Sequence, residues 1–541
     1  MNPGSDAREA LGPELARNLI ERVCVGDITT RGRDLFPDKA TIVFNEQRVS
    51  YRELDSQTNQ LARAFLEQGL NPGDPVCVVS RNCMEVLIIY LACAKAGLVF
   101  APLNPALRTD ELAYCLNDSE ARVLLAQGSS EAAIAAIIEH TPVLERICWF
   151  STPSSGFDFP ASGTLAELVA GVSDDPVEVV VRERESLQLL YTSGTTSRPK
   201  GVLTNHFAAT MAGLTVALAN GMTPGLDNSV LVCLPLFHCA MLNGNIVPTL
   251  MVGGTVVLMD GFEAEAVAST IDQLRIAHVV LLPVMYAQLL ELPGIHSRNF
   301  DCVIRAGYAM TPMPEQRLTE IHNLFPNADV VLGAGQTEFT PPTCKQRAEH
   351  QWDKAASWGT ATAMTRIGIM DEGGRLLGAG EMGEIVYRGP QIMNEYLNRP
   401  EENATAFRHG WFHSGDIGWL DNDGVVWFSD RKKDVIKTGG ENVASLEVER
   451  CLLDHPGVAD AAVVGVYHPR WGEAITAVVT AKAGRDIDVG EVLDYCRSRL
   501  AGFKVPKSIV VKDELPRTGT GKIQKHIIRN EVRDLYASPD K

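Results

Sequence analysis

An α/β protein built on parallel sheets, followed by a β-rich stretch and a separate C-terminal region, is what this sequence predicts. Three observations carry the prediction. Apolar segments of strand length and helix length alternate from about residue 76 to 332, the signature of βαβ units and a parallel sheet. From about 365 the segments shorten into strands joined by turns such as Asp371-Glu372-Gly373-Gly374 and Asp421-Asn422-Asp423-Gly424. The chain also has 541 residues, too many for one ordinary core, so two or more domains are expected.

In chain order, residues 1–40 read as an irregular, partly helical lead-in. Ser50 is placed to cap a helix through Leu54, Asn59, Leu61 and Ala62. Strand, helix and buried strand are expected at 76–79, 83–96 and 98–103, and the alternation returns at 121–125 and 132–138. A Ser/Gly/Pro-rich patch at 151–162 ends this block. The apolar run 187–191 then leads into Thr192, Ser193, Gly194, Thr195 and Thr196, with Lys200 close behind. Beyond it come helix 207–218, strand 230–234, a Gly253-Gly254 turn before another strand, and helix 264–274. Strand 278–282, helix 284–292, strand 302–305, helix 315–324 and strand 329–332 complete the block. Ligands in such sheets sit at the carboxyl ends of strands, so loops that follow strands are the functional candidates. Short strands at 366–370, 384–388 and 425–428 suggest a smaller β-rich subdomain over 365–430. A boundary at about 430 gives domains 1–430 and 431–541. The second contains a helix from 446, strands near 458–467 and 474–481, helix 489–500, strand 507–511 and a helix after Lys522.

Composition narrows the class. Hydrophobic residues make up 45% and charged residues 21%, which fits a soluble globular protein. The formal net charge of −18 argues against a nucleic-acid binder or a polybasic membrane anchor. An anionic ligand would need a locally basic pocket. Twelve cysteines are scattered with no C-x-x-C, so free thiols in a reducing compartment are expected. The first residues carry early charges and no apolar core, unlike a secretory signal, and the C-terminus shows no peroxisomal or prenylation signal. The longest apolar run, 86–103, is broken by Lys95 and reads as a buried helix followed by a strand rather than a membrane span. A cytoplasmic protein is expected.

Five stretches carry chemistry. In 192–201, small residues let the backbone pass close to a ligand, while hydroxyls, backbone N–H groups and Lys200 suit phosphate oxygens. It is not the G-x-x-x-x-G-K-[ST] pattern, because Gly201 and Val202 follow the lysine; a plain surface loop is the alternative. Gly333-Ala334-Gly335-Gln336-Thr337-Glu338 follows a strand, and Glu338 suits a divalent cation shared with phosphate. Gly410-Trp411-Phe412-His413-Ser414-Gly415-Asp416 reads as a glycine turn with a carboxylate for ribose hydroxyls, or as a solvated turn. The charge run Asp430-Arg431-Lys432-Lys433-Asp434, leading to Lys437 and Gly439-Gly440, reads as a solvated face or a hinge. Lys522 sits on a Gly-rich loop, Pro516-Arg517-Thr518-Gly519-Thr520-Gly521.

In this order, YTSGTTSRPKG, GQTE, GWFHSGD, DRKKDVIKTGGEN and PRTGTGK resemble the adenylate-forming superfamily of acyl-CoA synthetases, adenylation domains and luciferases. The resemblance spans about Ser50 to Glu531. It implies a large N-terminal domain of α/β layers with a β-barrel-like part, and a small mobile C-terminal α+β domain. It also implies a two-step reaction using ATP, Mg²⁺ and coenzyme A: a carboxylic acid becomes an acyl-adenylate with release of pyrophosphate, and a thiol then takes the acyl group. Carried over by position, Thr192, Ser193, Gly194, Thr195, Thr196 and Lys200 hold the β- and γ-phosphates. Glu338 binds Mg²⁺, and Thr337 meets the α-phosphate. Gly307, Tyr308 and Ala309 fall where adenine lies, and Gln336 and Gly440 count with the nucleotide contacts. Asp416 and Arg431 meet the ribose. Lys522 bridges carboxylate and α-phosphate in the first step, Lys433 is the hinge, and Lys437 faces the site in the second. Small-molecule acid, ATP and CoA are the implied partners, with no nucleic acid and no integral membrane segment; a homodimer is left open.

Three departures from the pattern stand out. Ser197 replaces a usual glycine, Ala334 an aromatic residue that packs on adenine, and Ala444-Ser445 an aromatic–proline pair. Losing the stacking face is expected to weaken nucleotide binding by ~1 kcal/mol, or to leave space for a larger substrate. No acid for a substrate ammonium occurs in Pro235-Leu236-Phe237-His238-Cys239, so an α-amino acid is not expected. His238 resembles a gating histidine, with a packed core histidine as the alternative. Ala306, Gly307, Gly333, Ala334 and Gly335 are small at the implied pocket floor, which leaves volume for a bulky hydrophobic acid: fatty, aryl or polycyclic. A ligase loading a carrier protein and a non-catalytic nucleotide-binding relative are the rival readings.

Overall fold

The computed structural model describes residues 11–150, 162–192, 198–309, 312–518 and 521–536. The chain divides into two compact units, Met1–Arg366 with Tyr387–Phe412, and Ile367–Val386 with His413–Lys541.

The first unit contains two large sheets. In one, Ala40–Phe44, Thr255–Leu258, Ser229–Val232, His278–Leu281, Arg305–Ala309 and Asp329–Ala334 run parallel in that spatial order. Antiparallel pieces finish it, Gln47–Ser50 at one end and Cys344–Lys345 with Thr360–Ala361 at the other. The second sheet has a parallel centre, Val99–Leu103, Pro75–Val79, Val123–Ala126 and Arg146–Trp149. Its edge is an antiparallel hairpin, Ser186–Thr192 with Lys200–Asn205, extended by Glu395–Tyr396. The alternation expected from the sequence is therefore present, with mixed edges that apolar periodicity does not register.

Local signals explain much of this. Ser50 and Glu53 form a reciprocal capping box at the start of Tyr51–Glu67, which satisfies two orphan backbone donors. The apolar run becomes helix Met84–Ala96 and the fully buried strand Val99–Leu103. Lys95, which interrupts that run, is buried and paired with Asp55 at 2.6 Å and Asn59 at 2.5 Å. Burial alone would raise the Asp55 carboxyl, but Lys95 and hydrogen bonds from Lys95, Thr29 and Thr30 hold it below the usual range. Among the described residues no helix is long and apolar enough to cross a membrane.

Two local expectations are corrected. The strand expected at 302–305 is Arg305–Ala309. Val303 is buried in the preceding turn, and the N–H groups of Ile304 and Arg305 both reach the Ala277 carbonyl. Apolarity thus marked the approach, while pairing with His278–Leu281 set the strand. The stretch read as a glycine turn around 410–416 leads into the strand Phe412–Leu420, which pairs with Val426–Arg431. Gly415 adopts a φ of 71° within it, so glycine signalled a local distortion rather than the end of a strand.

The second unit holds a four-stranded sheet that includes Phe412–Leu420 and Val426–Arg431. It also holds a sheet of Glu441–Val443, Ile436–Thr438, Gly472–Ala481 and Val458–His468, with Ser508–Lys512 beside Gly472–Ala481. Helix Ser445–Leu453 is anchored by Asp430, which accepts the Ser445 N–H at 2.5 Å and its hydroxyl at 2.7 Å. Lys525 in turn donates to Ser445 at 2.6 Å and pairs with Glu449 at 2.8 Å. The first residue of the charge run is thus a buried helix anchor, although charge runs generally lie on solvated faces.

Candidate active site

Strands Ser186–Thr192 and Lys200–Asn205, which flank residues 193–199 in the chain, pair antiparallel. Thr192 and Lys200 are register partners, and the Thr192 hydroxyl reaches the Lys200 carbonyl at 3.4 Å. Ser193, Gly194, Thr195, Thr196 and Ser197 lie outside the described residues. Arg198 stands over the Tyr114 ring at 5.1 Å, and the Lys200 ammonium over the Tyr396 ring at 4.9 Å. Tyr396 is held in the edge strand by Asn403, which accepts its N–H at 2.7 Å and donates to its carbonyl at 2.9 Å.

Tyr396 also donates its phenol to Glu338 Oε1 at 2.9 Å. One side chain therefore links the lysine of the first motif to the carboxylate of the second, some 140 residues apart. Glu338 sits on the single turn Thr337–Phe339. Phe339 is fully buried against Tyr387 and Phe412, with ring centroids 5.3 Å and 6.2 Å away. The Glu338 carbonyl accepts the Met393 N–H at 2.9 Å. Beside this turn, the Cys239 thiol lies 3.3 Å from the Thr337 hydroxyl. His238 is half-buried and opens the short helix Cys239–Met241, its Nδ1 accepting the Ala240 N–H at 3.2 Å. The chain then passes through a π-helical turn, Leu242–Ile246, a geometry found disproportionately at functional sites.

Parallel pairing lays Gly307, Tyr308 and Ala309 beside Val331, Leu332 and Gly333. Tyr308 is buried, its hydroxyl 3.4 Å from Gln346. Ala334 is also buried. Gly335 has a packing reason: a Cβ there would stand 2.7 Å from Pro341 Cβ. Gly333 differs, because a Cβ there would meet nothing within 4 Å. The Gln336 amide nitrogen is buried without a partner among the described residues. A lysine, a carboxylate, hydroxyls and an unmatched amide donor fit a polyphosphate with its cation. Among the described residues no group of three or more His, Cys, Asp or Glu could hold a metal by itself, so a cation here would share phosphate oxygens with Glu338.

In the second unit Asp416 and Arg431 are cross-strand partners joined by an ion pair of 2.8 Å. Asp416 is buried, so it is not a solvated turn residue. Glu384 organises its surroundings, accepting from the Gly415 N–H, His413 and Lys432, each at 3.1 Å. Burial would raise its carboxyl, but the hydrogen bonds from His413 and Lys432 and the Lys432 charge outweigh this and hold it below the usual range. Lys433 is exposed. Lys437 is exposed on Ile436–Thr438, and its backbone N–H donates to Glu473 at 2.7 Å. Gly439 and Gly440 turn that strand at φ of 59° and 88°, conformations that favour glycine. Lys522 is exposed at the end of its loop; its N–H donates to the Thr518 hydroxyl at 3.1 Å and its carbonyl accepts the Thr518 N–H at 2.8 Å.

The first unit thus assembles Thr192, Lys200, His238, Gly307 to Ala309 and Gly333 to Glu338. The second joins Asp416 to Arg431 and carries Lys433, Lys437, Gly440 and Lys522. Sequence reading gave no role to Tyr396, Glu384 or Cys239, although Cys239 stands beside His238 in a stretch it singled out and Glu384 opens an expected strand, because each acts through contacts distant in the chain.

Comparison with known proteins gives the following matches. Residues 31–397 match the AMP-binding enzyme family, and residues 447–522 match the AMP-binding enzyme C-terminal domain. A feruloyl-CoA synthase of Amycolatopsis sp is 35% identical over 93% of this chain and 98% of its own. An indoleacetate–CoA ligase of Aromatoleum aromaticum is 34% identical over 94% and 97%. Among solved structures, o-succinylbenzoate coenzyme A synthetase (MenE) from Bacillus subtilis, in complex with ATP and magnesium ion, superposes with a TM-score of 0.82 at 28% identity, covering 94% of this chain and 99% of that one.

Proposed function

We propose, on the premise that the chain belongs to the AMP-binding enzyme family and is an AMP-forming acid–thiol ligase, that its acid has a bulky hydrophobic body: fatty, aryl or polycyclic. ATP, Mg²⁺ and coenzyme A are the cofactors of this chemistry. The observation that carries the substrate reading is the open space over Gly333, on the strand Asp329–Ala334, which ends three residues before Thr337. Gly244 supports it from the π-helical turn, where the nearest atom to an added Cβ would be the Pro341 carbonyl oxygen at 3.8 Å. Small walls leave volume, and an apolar site selects by shape.

In the first step an acid oxygen attacks the α-phosphorus. The new P–O bond forms as the bond to the bridging oxygen breaks, and pyrophosphate leaves with that electron pair. Thr192, Ser193, Gly194, Thr195, Thr196 and Lys200 hold the departing phosphates, and Thr337 donates to the α-phosphate. Glu338 would hold Mg²⁺, which would supply neutralising positive charge to the phosphates. Gly307, Tyr308 and Ala309 hold the base, Gln336 and Gly440 join the nucleotide contacts, and Asp416 and Arg431 hold the ribose. Lys522 brings positive charge to the carboxylate and α-phosphate oxygens. In the second step the CoA thiolate attacks the acyl carbon and AMP leaves; Lys437 serves this step, after a turn of residues 431–541 about Lys433. Positioning and positive electrostatics account for catalysis where anions must approach one another. Twelve cysteines without a disulfide support a reducing compartment, the cytoplasm.

Pyrophosphate release, with and without CoA, across a panel of acids tests this reading; acetate as the best substrate would refute it. Gly333→Trp fills the open space and is expected to lower kcat/KM for the best bulky acid by roughly tenfold or more while sparing short acids. Uniform loss across the panel would count against the pocket. Tyr396→Phe keeps the ring at Lys200 and removes the hydrogen bond to Glu338. It is expected to raise the Mg²⁺ concentration for half-maximal pyrophosphate release by about tenfold, with little change at saturating Mg²⁺.

A further inference from the structure

We infer that the acyl cleft ends in a donor-rich cap of His278, Arg305 and Lys345, which selects acids bearing an oxygen acceptor at the end remote from the reacting carboxylate. The inference rests on the acid-activating reading above. Register pairs His278 with Arg305, Arg305 with Asp329, Ala309 with Gly333, and Gly333 with Lys345. Side chains alternate along strands, so these positions share one face of the sheet with Gly307. The space over Gly333 is open, while Gly307 lies under Val280, whose Cγ2 would be 3.0 Å from a Cβ there. The end of helix His206–Asn220 meets the same face. Lys345 donates to the Ala219 carbonyl at 3.3 Å and to the Asn220 side chain, and Arg305 to the Asn220 carbonyl at 3.4 Å. From the open space over Gly333 this face thus runs back, past Val280 and Val331, to three nitrogen-bearing side chains.

Their hydrogen bonding is incomplete. His278 is 3% exposed, yet neither ring nitrogen has a partner among the described residues, and Arg305 Nε is likewise buried and unmatched. Buried polar groups are rarely left so. Burial pushes His278 down to about 4, so at neutral pH the ring is uncharged and offers one N–H. Burial, with Arg305 adding, pushes Lys345 down to about 7. Asp329 pairs with Arg305 at 2.6 Å, while the Lys345 hydrogen bonds go to neutral oxygens. Capping of the helix end accounts for the carbonyl contacts, but not for His278 or Arg305 Nε. Donors in excess at the end of an apolar face suit a terminal carbonyl or a second carboxylate.

The test is a length series of plain monocarboxylic acids against the matching α,ω-dicarboxylic acids and the matching terminal methyl ketones, read as kcat/KM for pyrophosphate release. At the best length, one oxygenated series is expected to exceed the plain series by about tenfold or more, since a site built for a polar group rejects analogues that leave it unpaired. Faster dicarboxylates identify an anionic terminus, and faster ketones a neutral one. Lys345→Met is expected to erase most of that preference through KM, and Lys345→Arg to retain more of it. Plain acids preferred at every length in the wild-type enzyme, or a preference untouched by Lys345→Met, overturns the cap. If plain acids react well and only the preference is missing, the acid-activating reading stands without it. If no acid of any series releases pyrophosphate, both fall together.

Discussion

Lys522→Ala is expected to lower the rate of acyl-adenylate formation by about 10²–10³-fold, the usual cost of removing one preorganised donor from a developing charge. CoA transfer from a supplied acyl-adenylate is expected to persist. The asymmetry follows from the chemistry of the two steps. The first brings a carboxylate to an anionic phosphorus centre, so it needs a positive charge shared between them. The second expels AMP from an anhydride already formed. Lys522 is exposed, and its backbone N–H and carbonyl bond to Thr518, so truncating its side chain leaves these two bonds intact. Pyrophosphate release measures the first step and thioester formation from synthetic acyl-adenylate the second. Equal loss of both would sink the role. Lys437→Ala is the reciprocal control, expected to slow the second step more than the first.

Glu338→Gln is expected to reduce adenylation by roughly 10²-fold at ordinary Mg²⁺ and to weaken the Mg²⁺ dependence of ATP binding. The substitution is nearly isosteric. Phe339 stays buried against Tyr387 and Phe412, and the backbone bond from Met393 is unaffected. The amide oxygen can still accept from the Tyr396 phenol. What is lost is the negative charge, so the result isolates it from the geometry. Calorimetric titration of ATP with and without Mg²⁺ reads the effect without turnover. A variant that binds ATP with unchanged Mg²⁺ dependence would remove Glu338 from the metal site. Comparison with Tyr396→Phe then separates the ligand from the side chain that orients it.

Much of this molecule was legible in one dimension. The alternation of segments predicted the parallel sheets, and Ser50 as a cap marked a helix start. Apolarity located helix Ala264–Leu274 and strand Arg366–Met370 at their observed bounds. Such signals are local: a helix or strand buries one face, and the period of its apolar residues records which. Apolarity failed where pairing outweighed it. Arg305–Ala309 holds a Gly-Tyr-Ala core that no periodicity marks, and only its neighbours His278–Leu281 and Asp329–Ala334 make it a strand. Asp416 looked like a turn residue until Val426–Arg431 lay beside it and supplied Arg431.

The sequence by itself determined the family, the two-step chemistry and the residue types that chemistry needs, because five motifs in order constrain those regardless of their surroundings. Only the tertiary structure decided which side chains orient them. Tyr396 joins Lys200 to Glu338, Glu384 gathers Gly415, His413 and Lys432, and Asp430 anchors the helix that begins at Ser445. The face proposed here for the acid belongs to the same class, since Gly307, Ala309, Gly333 and Lys345 share it only through strand register. The physical reason is common to all of them. A motif is read along the chain, whereas a hydrogen bond, a ring contact or a shared sheet face depends on distances in space between residues far apart in sequence.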